Sequence, residues 1–288
     1  MMNILVIDIG TSSMRGILFT HEGKLLAEKQ IFYTVSYLEN SWVEQEPSDW
    51  ENALYRIIKE IAGQAEKNQW DIDAITITSQ RSSVIPVDKS INPLCNAIMW
   101  QDKRTNEICE RLFSLNDKVF SLCGSRVNPV FSASKMTWIR ENRPEIYKKT
   151  YKFLVIPDYM VYLMTGELCT DYTYGSRSLL MNIYNHEWDA ELLEIFQVNK
   201  EKLCDLIEPG SICGKITKEF SELTGCPEGI PVITAGGDQQ CGAIGQGVVK
   251  KGILSATAGT GGFLITATNE VPEHLEPDVI CNFSSIKG

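Results

Sequence analysis

The chain has 288 residues, 43% of them hydrophobic, and 37 acidic against 27 basic residues give it a net charge of −10. This composition is typical of a globular protein with a substantial core, in one large domain or two, and it argues against nucleic acid or anionic lipid as a partner. Nine cysteines without a Cys-x-x-Cys pair favour reduced thiols, and three dispersed histidines offer little material for a histidine zinc site or a Ser-His-Asp triad. No run approaches the roughly 20 apolar residues of a membrane span, and no secretion signal is seen at the N-terminus, so we expect a cytoplasmic protein.

An apolar run over residues 4–19 is interrupted by an acid and a group of small residues. Two strands rich in Ile, Leu and Val around such a turn predict a β-hairpin that binds a phosphate through the backbone N–H groups of Gly10, Thr11, Ser12 and Ser13. Asp8 ends the first strand, where a carboxylate is costly unless a cation or donors satisfy it, so we expect it to hold a Mg²⁺ beside the phosphate. The alternative is a type I′ hairpin with Asp8 as a turn residue.

The next segments alternate between strand and helix patterns. Residues 24–35 predict a third strand, and a helix follows from Pro47, with Ser48 and Glu51 as a capping box. Further strands are predicted over 73–79, 84–87 and 230–234, and helices over 102–115, 132–141, 160–164 and 187–196. This order of elements favours an α/β domain.

A second hairpin is predicted near the end of the chain, over residues 252–266. Its Gly259-Thr260 turn corresponds to Gly10-Thr11, which indicates two lobes that each offer a turn to one phosphate chain. Thr257 stands at the place of Asp8, so we expect a single Mg²⁺ centre.

Between the hairpins, Asp238 follows a predicted strand and begins a helix of small residues. A carboxylate at a helix N-terminus can accept a proton from a substrate hydroxyl, as a general base. The alternative is a plain helix N-cap, for which Asp is a favoured residue.

Several motifs in the same order resemble those of the FGGY family of carbohydrate kinases. They are Asp8-Ile-Gly-Thr-Ser-Ser, Ser79-Gln-Arg, Asn96-Ala-Ile-Met-Trp-Gln-Asp-Lys-Arg-Thr105, Pro157-Asp-Tyr through Gly166, Thr170-Asp-Tyr, Gly237-Asp-Gln-Gln240 and Ala258-Gly-Thr-Gly-Gly262. Within the family, these motifs look most like those of glycerol kinase and also like xylulokinase. The resemblance implies an α/β fold, an actin-like ATPase (ribonuclease H-like) lobe with a mixed β-sheet flanked by helices, and ATP with Mg²⁺ as cofactors.

The resemblance also implies roles for individual residues. Asp238 would be the catalytic base, and Asp8 would position Mg²⁺ through water. The ATP phosphates would lie against Gly10, Thr11, Ser12, Ser13, Arg15, Gly259, Thr260 and Gly261. A small sugar or polyol would lie against Gln80, Arg81, Trp100, Asp238 and Gln239.

Two substitutions and the length depart from the family pattern. Ser82 replaces a glutamate that glycerol kinases carry after Gln-Arg, and Val130 replaces an aromatic residue, so we expect a less acidic pocket that admits a longer polyol or a ketose. Family members are about twice as long. We therefore expect an N-terminal fragment, inactive by itself, with a substrate-binding domain over 1–247 and the start of a nucleotide-binding domain over 248–288.

The leading hypothesis is an ATP-dependent kinase of a small sugar or polyol, with a homodimer allowed and with neither nucleic acid nor membrane as partner. A non-catalytic sugar-binding or regulatory module is the first alternative. An actin-like assembly or chaperone ATPase is the second, although the Gln80-Arg81 and Trp100 residues would have no purpose there. Walker-type chemistry is excluded, because no Gly-x-x-x-x-Gly-Lys-Ser/Thr motif occurs.

Overall fold

A computed structural model describes residues 2–258, 262–276 and 278–286. The strands are β1 Asn3–Ile9, β2 Ser13–Thr20, β3 Leu25–Phe32, β4 Ser36–Tyr37, β5 Val43–Gln45, β6 Ala74–Ser79, β7 Ile85–Val87, β8 Ala97–Ile98, β9 Lys152–Leu154, β10 Cys169–Asp171, β11 Asp205–Ile207, β12 Ile212–Lys215, β13 Pro231–Gly237, β14 Leu254–Ala258 and β15 Gly262–Thr266. The α-helices are α1 Pro47–Asn68, α2 Asn106–Arg111, α3 Asn116–Cys123, α4 Ser132–Asn142, α5 Pro144–Lys149, α6 Ile156–Thr165, α7 Tyr172–Gly175, α8 Ala190–Phe196, α9 Lys218–Thr224 and α10 Asp238–Gly245. Short 3-10 turns occupy Glu39–Ser41, Phe113–Leu115 and Lys200–Lys202.

Six strands form the central mixed sheet, in the order β12-β13-β6-β1-β2-β3. The strands β1, β6 and β13 run parallel, while β2, β3 and β12 are antiparallel to their neighbours. The carboxyl ends of the three parallel strands therefore meet at one edge of the sheet. Asp8, Gln80 and Asp238 all lie at this edge, which is where parallel sheets commonly bind ligands.

Helix α1 covers one face of the sheet through apolar residues at helical spacing. Trp50, Leu54, Ile57, Ile58 and Ile61 are fully buried. Gly16 on β2 permits this close packing, because a Cβ there would lie only 2.3 Å from Cγ2 of Ile57. The predicted capping box is wrong. The helix begins at Pro47, and the N-cap residue Glu46 makes no side-chain cap hydrogen bond. Proline has no backbone N–H, so its place at the first helical position leaves one donor fewer to be capped.

A second core lies beside the sheet and contains α4 and α8 with buried residues from the loops between them. The predicted helix over 102–115 is wrong at its start, since α2 begins only at Asn106. Asp102 is fully buried before the helix, and its carboxylate accepts hydrogen bonds from the backbone N–H groups of Val43 and Arg104. Those interactions hold the chain in a loop rather than a first helical turn.

The second hairpin is present as β14 and β15, which pair antiparallel from Leu254 opposite Thr266 to Ala258 opposite Gly262. Among the described residues, it forms a two-stranded sheet of its own and does not join the central sheet. Phe263 and Leu264 are well exposed on it, at 55% and 73%.

All nine cysteines lie in the described part of the chain, and each is a free thiol. Within residues 2–258, 262–276 and 278–286, no helix combines the length and the apolar character that crossing a bilayer requires.

Candidate active site

The turn between β1 and β2 is tight and is held from the end of β3. The N–H of Gly10 donates to the carbonyl of Ser13 at 2.9 Å, which closes the turn. The Tyr33 hydroxyl donates to the carbonyl of Gly10 at 2.7 Å, and the Tyr33 N–H donates to the carbonyl of Ser12 at 3.1 Å. Tyr33 lies just after the third strand and was not predicted as a site residue. It fixes the turn so that its remaining N–H groups keep one orientation.

Asp8 lies within the strand ladder, opposite Arg15 on β2 and beside Thr78 on β6. It is therefore not a turn residue, and the type I′ alternative is wrong. Burial, followed by the negative charge of Asp238, raises the pKa of Asp8, while the charge of Arg15 acts in the opposite direction. Among the described residues, the Asp8 carboxylate has no hydrogen-bond or ion-pair partner.

Arg15 is directed toward β3 rather than toward the turn. Its Nε lies 3.3 Å from Oε1 of Glu28, and its Nη2 donates to Oε1 of Gln30 at 3.3 Å. The same Gln30 donates through Nε2 to the hydroxyl of Ser13 at 3.0 Å. Arg15 would have to leave Glu28 in order to bind a phosphate.

A chain of hydrogen bonds links the turn to the predicted sugar-binding residues. The indole N–H of Trp100 donates to Oγ1 of Thr11 at 3.1 Å, and the Thr11 hydroxyl donates to Oε1 of Gln80 at 3.4 Å. Nε2 of Gln80 donates to the carbonyl of Gly10 at 3.3 Å. Gln80 is only 3% exposed, so its amide serves the turn, whereas Trp100 is 37% exposed and presents apolar ring surface.

Asp238 is the first residue of α10, and Gly237 is the N-cap, so the N-cap alternative for Asp238 is wrong. Oδ1 of Asp238 lies 3.2 Å from Nε of Arg81 and accepts a hydrogen bond from the N–H of Gln239 at 2.7 Å. The carboxylate is about one-third exposed, at 34%. Its other oxygen, Oδ2, accepts no hydrogen bond from the described residues and is available to a ligand.

The Arg81 guanidinium has a second partner besides Asp238. Its Nη1 donates to Oε1 of Gln240 at 3.3 Å. Gly237 leaves room for the arginine, because a Cβ there would lie 2.4 Å from Cδ of Arg81. Burial lowers the pKa of Arg81, and the charge of Asp238 opposes that shift.

The sequence analysis did not predict three further residues near Asp238 and Arg81. Gln240 belongs to the Gly237-Asp-Gln-Gln240 motif and could have been found from it, since Gln240, not Gln239, holds Arg81. Arg177 lies after α7, in a segment without a recognisable motif. Phe283, far along the chain, donates through its N–H to Oγ of Ser176 at 3.1 Å and accepts from Nε2 of Gln240 at 3.3 Å. No sequence signal predicts such a contact.

The structure thus brings most of the predicted site residues to one edge of the sheet. Gly10, Thr11, Ser12 and Ser13 form the turn, Gln80, Arg81 and Trp100 lie beside it, and Asp8 and Asp238 are close enough for the charge of one to shift the pKa of the other. Gly259, Thr260 and Gly261 of the second predicted turn lie outside the described residues.

A mixed sheet with a hairpin turn of small residues, and with carboxylates at the ends of two of its parallel strands, is typical of actin-like ATPase folds. More particularly, the chain belongs to the FGGY family of carbohydrate kinases, because residues 3–245 match the profile of that family's N-terminal domain. The predicted fold is thereby confirmed.

Individual relatives agree with this assignment. The chain is 38% identical to a glycerol kinase of Thermococcus onnurineus over 272 residues, which are 93% of this chain and 54% of that protein. It is 30% identical to a xylulose kinase of Bacillus subtilis, with the same coverage. A crystal structure of Plasmodium falciparum glycerol kinase with ADP superposes with a TM-score of 0.85 at 30% identity, over 92% of this chain and 54% of that one. The chain spans about half the length of the curated relatives it matches.

Proposed function

We propose that the chain is the substrate-binding part of an ATP-dependent kinase that phosphorylates a hydroxyl of a small sugar or polyol. The observation that supports this most is that Gln80 contacts Thr11 and the carbonyl of Gly10 in the turn, while the next residue, Arg81, holds Asp238. A base for a hydroxyl and a set of backbone donors for a phosphate then face one space. Residues 1–247 would form the substrate-binding domain, and residues 248–288 would begin the nucleotide-binding domain.

In the proposed reaction, the substrate hydroxyl lies against Oδ2 of Asp238. As the hydroxyl oxygen attacks the γ-phosphorus of ATP, its proton passes to Asp238, and the bond from that phosphorus to the bridging oxygen breaks to release ADP. Arg81 holds the carboxylate in place, and the N–H groups of the Gly10–Ser13 turn steady the charge of the phosphates. Such a transfer depends mainly on alignment and charge neutralisation, which these residues supply without a covalent intermediate.

Asp8 fits the role of a Mg²⁺ residue. Its carboxylate is partly buried and has no partner among the described residues, and it is close enough to Asp238 for the negative charge of that residue to raise the pKa of Asp8. Mg²⁺ in phosphoryl-transfer sites is typically held by one or two carboxylates, water and substrate phosphates, so a larger set of protein ligands is not needed. The ion would neutralise charge on the phosphates and orient them.

The proposed substrate class rests on two side chains that we expect at the pocket. Ser82 brings no charge and Val130 is smaller than an aromatic side chain, so the pocket suits a polyol or ketose longer than glycerol. The relatives named above are glycerol and xylulose kinases, which bracket this range of sizes. We also propose that the protein works in the cytoplasm, with homodimerisation allowed.

The test is ADP release by the natural full-length protein, with ATP, Mg²⁺ and a panel of polyols and ketoses. We expect at least one carbohydrate to stimulate turnover, and Asp238→Asn to lower kcat by about 10²–10⁴-fold, the range expected for loss of a general base. Asp117→Asn, which changes a carboxylate with a 90% exposed side chain, is the matched control and should not alter the rate. An unchanged rate in Asp238→Asn rules out the base assignment. Carbohydrate binding without any turnover would favour the sugar-sensing alternative.

A further inference from the structure

The motif Thr170-Asp-Tyr, to which the proposed function gives no role, contacts the strand that leads to Asp238. Asp171 is buried and is the N-cap of helix α7. Its Oδ1 accepts hydrogen bonds from the N–H of Thr173, at 2.8 Å, and from the Thr173 hydroxyl. Its Oδ2 accepts a hydrogen bond from the hydroxyl of Thr234 on β13. Because the Thr173 hydroxyl donates its proton to Asp171, its oxygen is left to accept a hydrogen bond from another group.

Two residues of α7 hold both polar groups of the peptide bond between Gly236 and Gly237. The N–H of Gly237 donates to Oγ1 of Thr173 at 2.9 Å. The carbonyl of Gly236 accepts a hydrogen bond from the hydroxyl of Tyr174 at 2.9 Å, and another from the hydroxyl of Thr78 on β6 at 2.7 Å. Three buried hydroxyl groups therefore set the orientation of this peptide bond.

Strand β13 is irregular at this point, so regular sheet pairing does not fix the peptide bond. The register between β13 and β6 shifts between Thr234 and Gly236, and Gly236 has a φ of +97°, which favours glycine. Such irregularities bend a strand and often lie beside active sites, where they redirect a side chain. Gly237 is the N-cap of α10 and Asp238 is its first residue, so a rotation of this peptide bond would move the Asp238 carboxylate.

We propose that Thr173, held by Asp171, is a positioning residue for the base Asp238, because it fixes the peptide bond that precedes the N-cap of α10. Both contacts of the Asp238 carboxylate, with Nε of Arg81 and with the N–H of Gln239, are made by Oδ1. The direction of Oδ2 therefore depends on the backbone that carries it. A displacement of about 1 Å at a reacting group can lower the rate about 10²-fold. This inference rests on the proposed function, because it takes Asp238 as the base.

The test measures ADP release by the natural full-length protein with ATP, Mg²⁺ and the carbohydrate that gives the highest rate. Thr173→Val removes the hydroxyl and keeps the shape of the side chain. We expect it to lower kcat about tenfold or more, with KM for carbohydrate and for ATP within about threefold of wild type, since the binding residues are unchanged. Thr173→Ser keeps the hydroxyl and should restore kcat to within about threefold of wild type.

Two further variants separate positioning from a general loss of stability. Thr224→Val removes a buried hydroxyl that bonds within α9, before β13 in the chain, and should leave kcat within about twofold of wild type. Tyr174→Phe removes one of two donors to the carbonyl of Gly236 and should lower kcat by about threefold, less than Thr173→Val, because the hydroxyl of Thr78 remains. Urea unfolding shows whether each variant is folded under the assay conditions.

A double-mutant cycle with Asp238→Asn tests whether Thr173 acts through the base. In the Asp238→Asn background, adding Thr173→Val should leave the residual kcat unchanged, because no base remains to be misaligned. A general structural effect would instead multiply with the loss caused by Asp238→Asn.

The proposal is overturned by an unchanged kcat in Thr173→Val, by a loss that Thr173→Ser does not restore, or by losses that multiply in the double variant. If Thr173→Val does not fold, an unchanged kcat in Tyr174→Phe overturns it. In each of these cases the proposed function stands as long as Asp238→Asn lowers kcat. Absence of ADP release with every carbohydrate, or an unchanged rate in Asp238→Asn, contradicts the proposed function and this inference together.

Discussion

Two arginines, Arg104 with a buried side chain and Arg177 with a partly buried one, have opposite surroundings. Nη2 of Arg104 lies 2.8 Å from Oδ2 of Asp102 and 2.8 Å from Oε1 of Glu44. Its guanidinium carbon also lies 4.1 Å from the ring centre of Trp42 and 4.9 Å from that of Trp138. Arg177 has one aromatic neighbour and, within the described part of the chain, no carboxylate partner.

The difference separates a charge compensated by two carboxylates from one without a carboxylate partner among the described residues. Arg104 has its charge compensated on both sides, and with Asp102 it fixes the loop before α2, so nothing remains for a substrate to contact. Nε of Arg177 donates no hydrogen bond to the described residues. The family motif Asn96–Thr105 thus contains one residue of the candidate pocket, Trp100, and also a structural ion pair between Asp102 and Arg104.

The largest loss of stability is expected for Arg104→Met, which removes the positive charge that compensates Asp102 and Glu44. Asp102 is fully buried, and without the arginine its carboxylate keeps only backbone donors. Leaving one partner of a buried ion pair uncompensated typically costs about 3–5 kcal/mol. Urea unfolding should show this decrease in the free energy of unfolding, whereas the surface control Arg111→Met should change it by less than about 0.5 kcal/mol. A loss below about 1 kcal/mol for Arg104→Met would mean that the cluster is not structural.

A third buried cation, Lys135 on α4, gives an intermediate case, because its partners are carbonyls instead of carboxylates. Its ammonium group donates to the carbonyls of Pro129, Val130 and Phe131 at 2.6, 3.0 and 3.1 Å. Lys135→Met would leave these acceptors without their donor, at a cost of about 2–4 kcal/mol. The same substitution at Lys118, whose side chain is 47% exposed in a surface ion pair, is the matched control and should cost less than about 1 kcal/mol.

The pH dependence of stability checks the same residue independently. Burial lowers the pKa of Lys135 to about 7 from its ordinary 10.5, so between these values the unfolded chain binds a proton that the folded chain does not. The contribution of Lys135 to stability therefore rises with pH from about 7 to 10.5. Urea midpoints at pH 7, 8.5 and 10 should show a steeper rise for the wild type than for Lys135→Met. Parallel curves would show that Lys135 does not titrate in this range.

The fold was predictable because its signals are local and strong. Two apolar runs around a turn of small residues predicted β1 and β2, and helical spacing from Trp50 to Ile61 predicted α1. The strand before Asp238 and the helix that begins there were also predicted in the correct order. Boundaries failed where a side chain competes with the helix for backbone groups, as at Asp102, and where proline makes a cap unnecessary, as at Pro47.

The candidate site was predictable only where a motif carries it. The turn and Asp238 follow from short segments, but Tyr33, Arg177 and Phe283 reach the site through tertiary contacts at separations that no spacing rule covers. Sequence alone also cannot distinguish Arg104 from Arg177, since the distinction depends on which carboxylates the fold brings near each guanidinium.

The smallest change in stability is expected for Arg177→Met, and it tests the comparison most directly. Methionine keeps much of the apolar volume over the Phe131 ring while removing a charge that has no counter-ion among the described residues. Replacing an uncompensated buried charge by an apolar side chain is often neutral or stabilising, so the free energy of unfolding should stay within about 1 kcal/mol of wild type or increase by up to about 2 kcal/mol. Burial lowers the pKa of Arg177 to about 9 from its ordinary 12.5, so wild-type stability should also rise between those pH values and approach that of the variant. Urea unfolding at pH 7 and 10 measures both effects. A loss of 3 kcal/mol or more at pH 7 would place Arg177 with Arg104 as a structural residue.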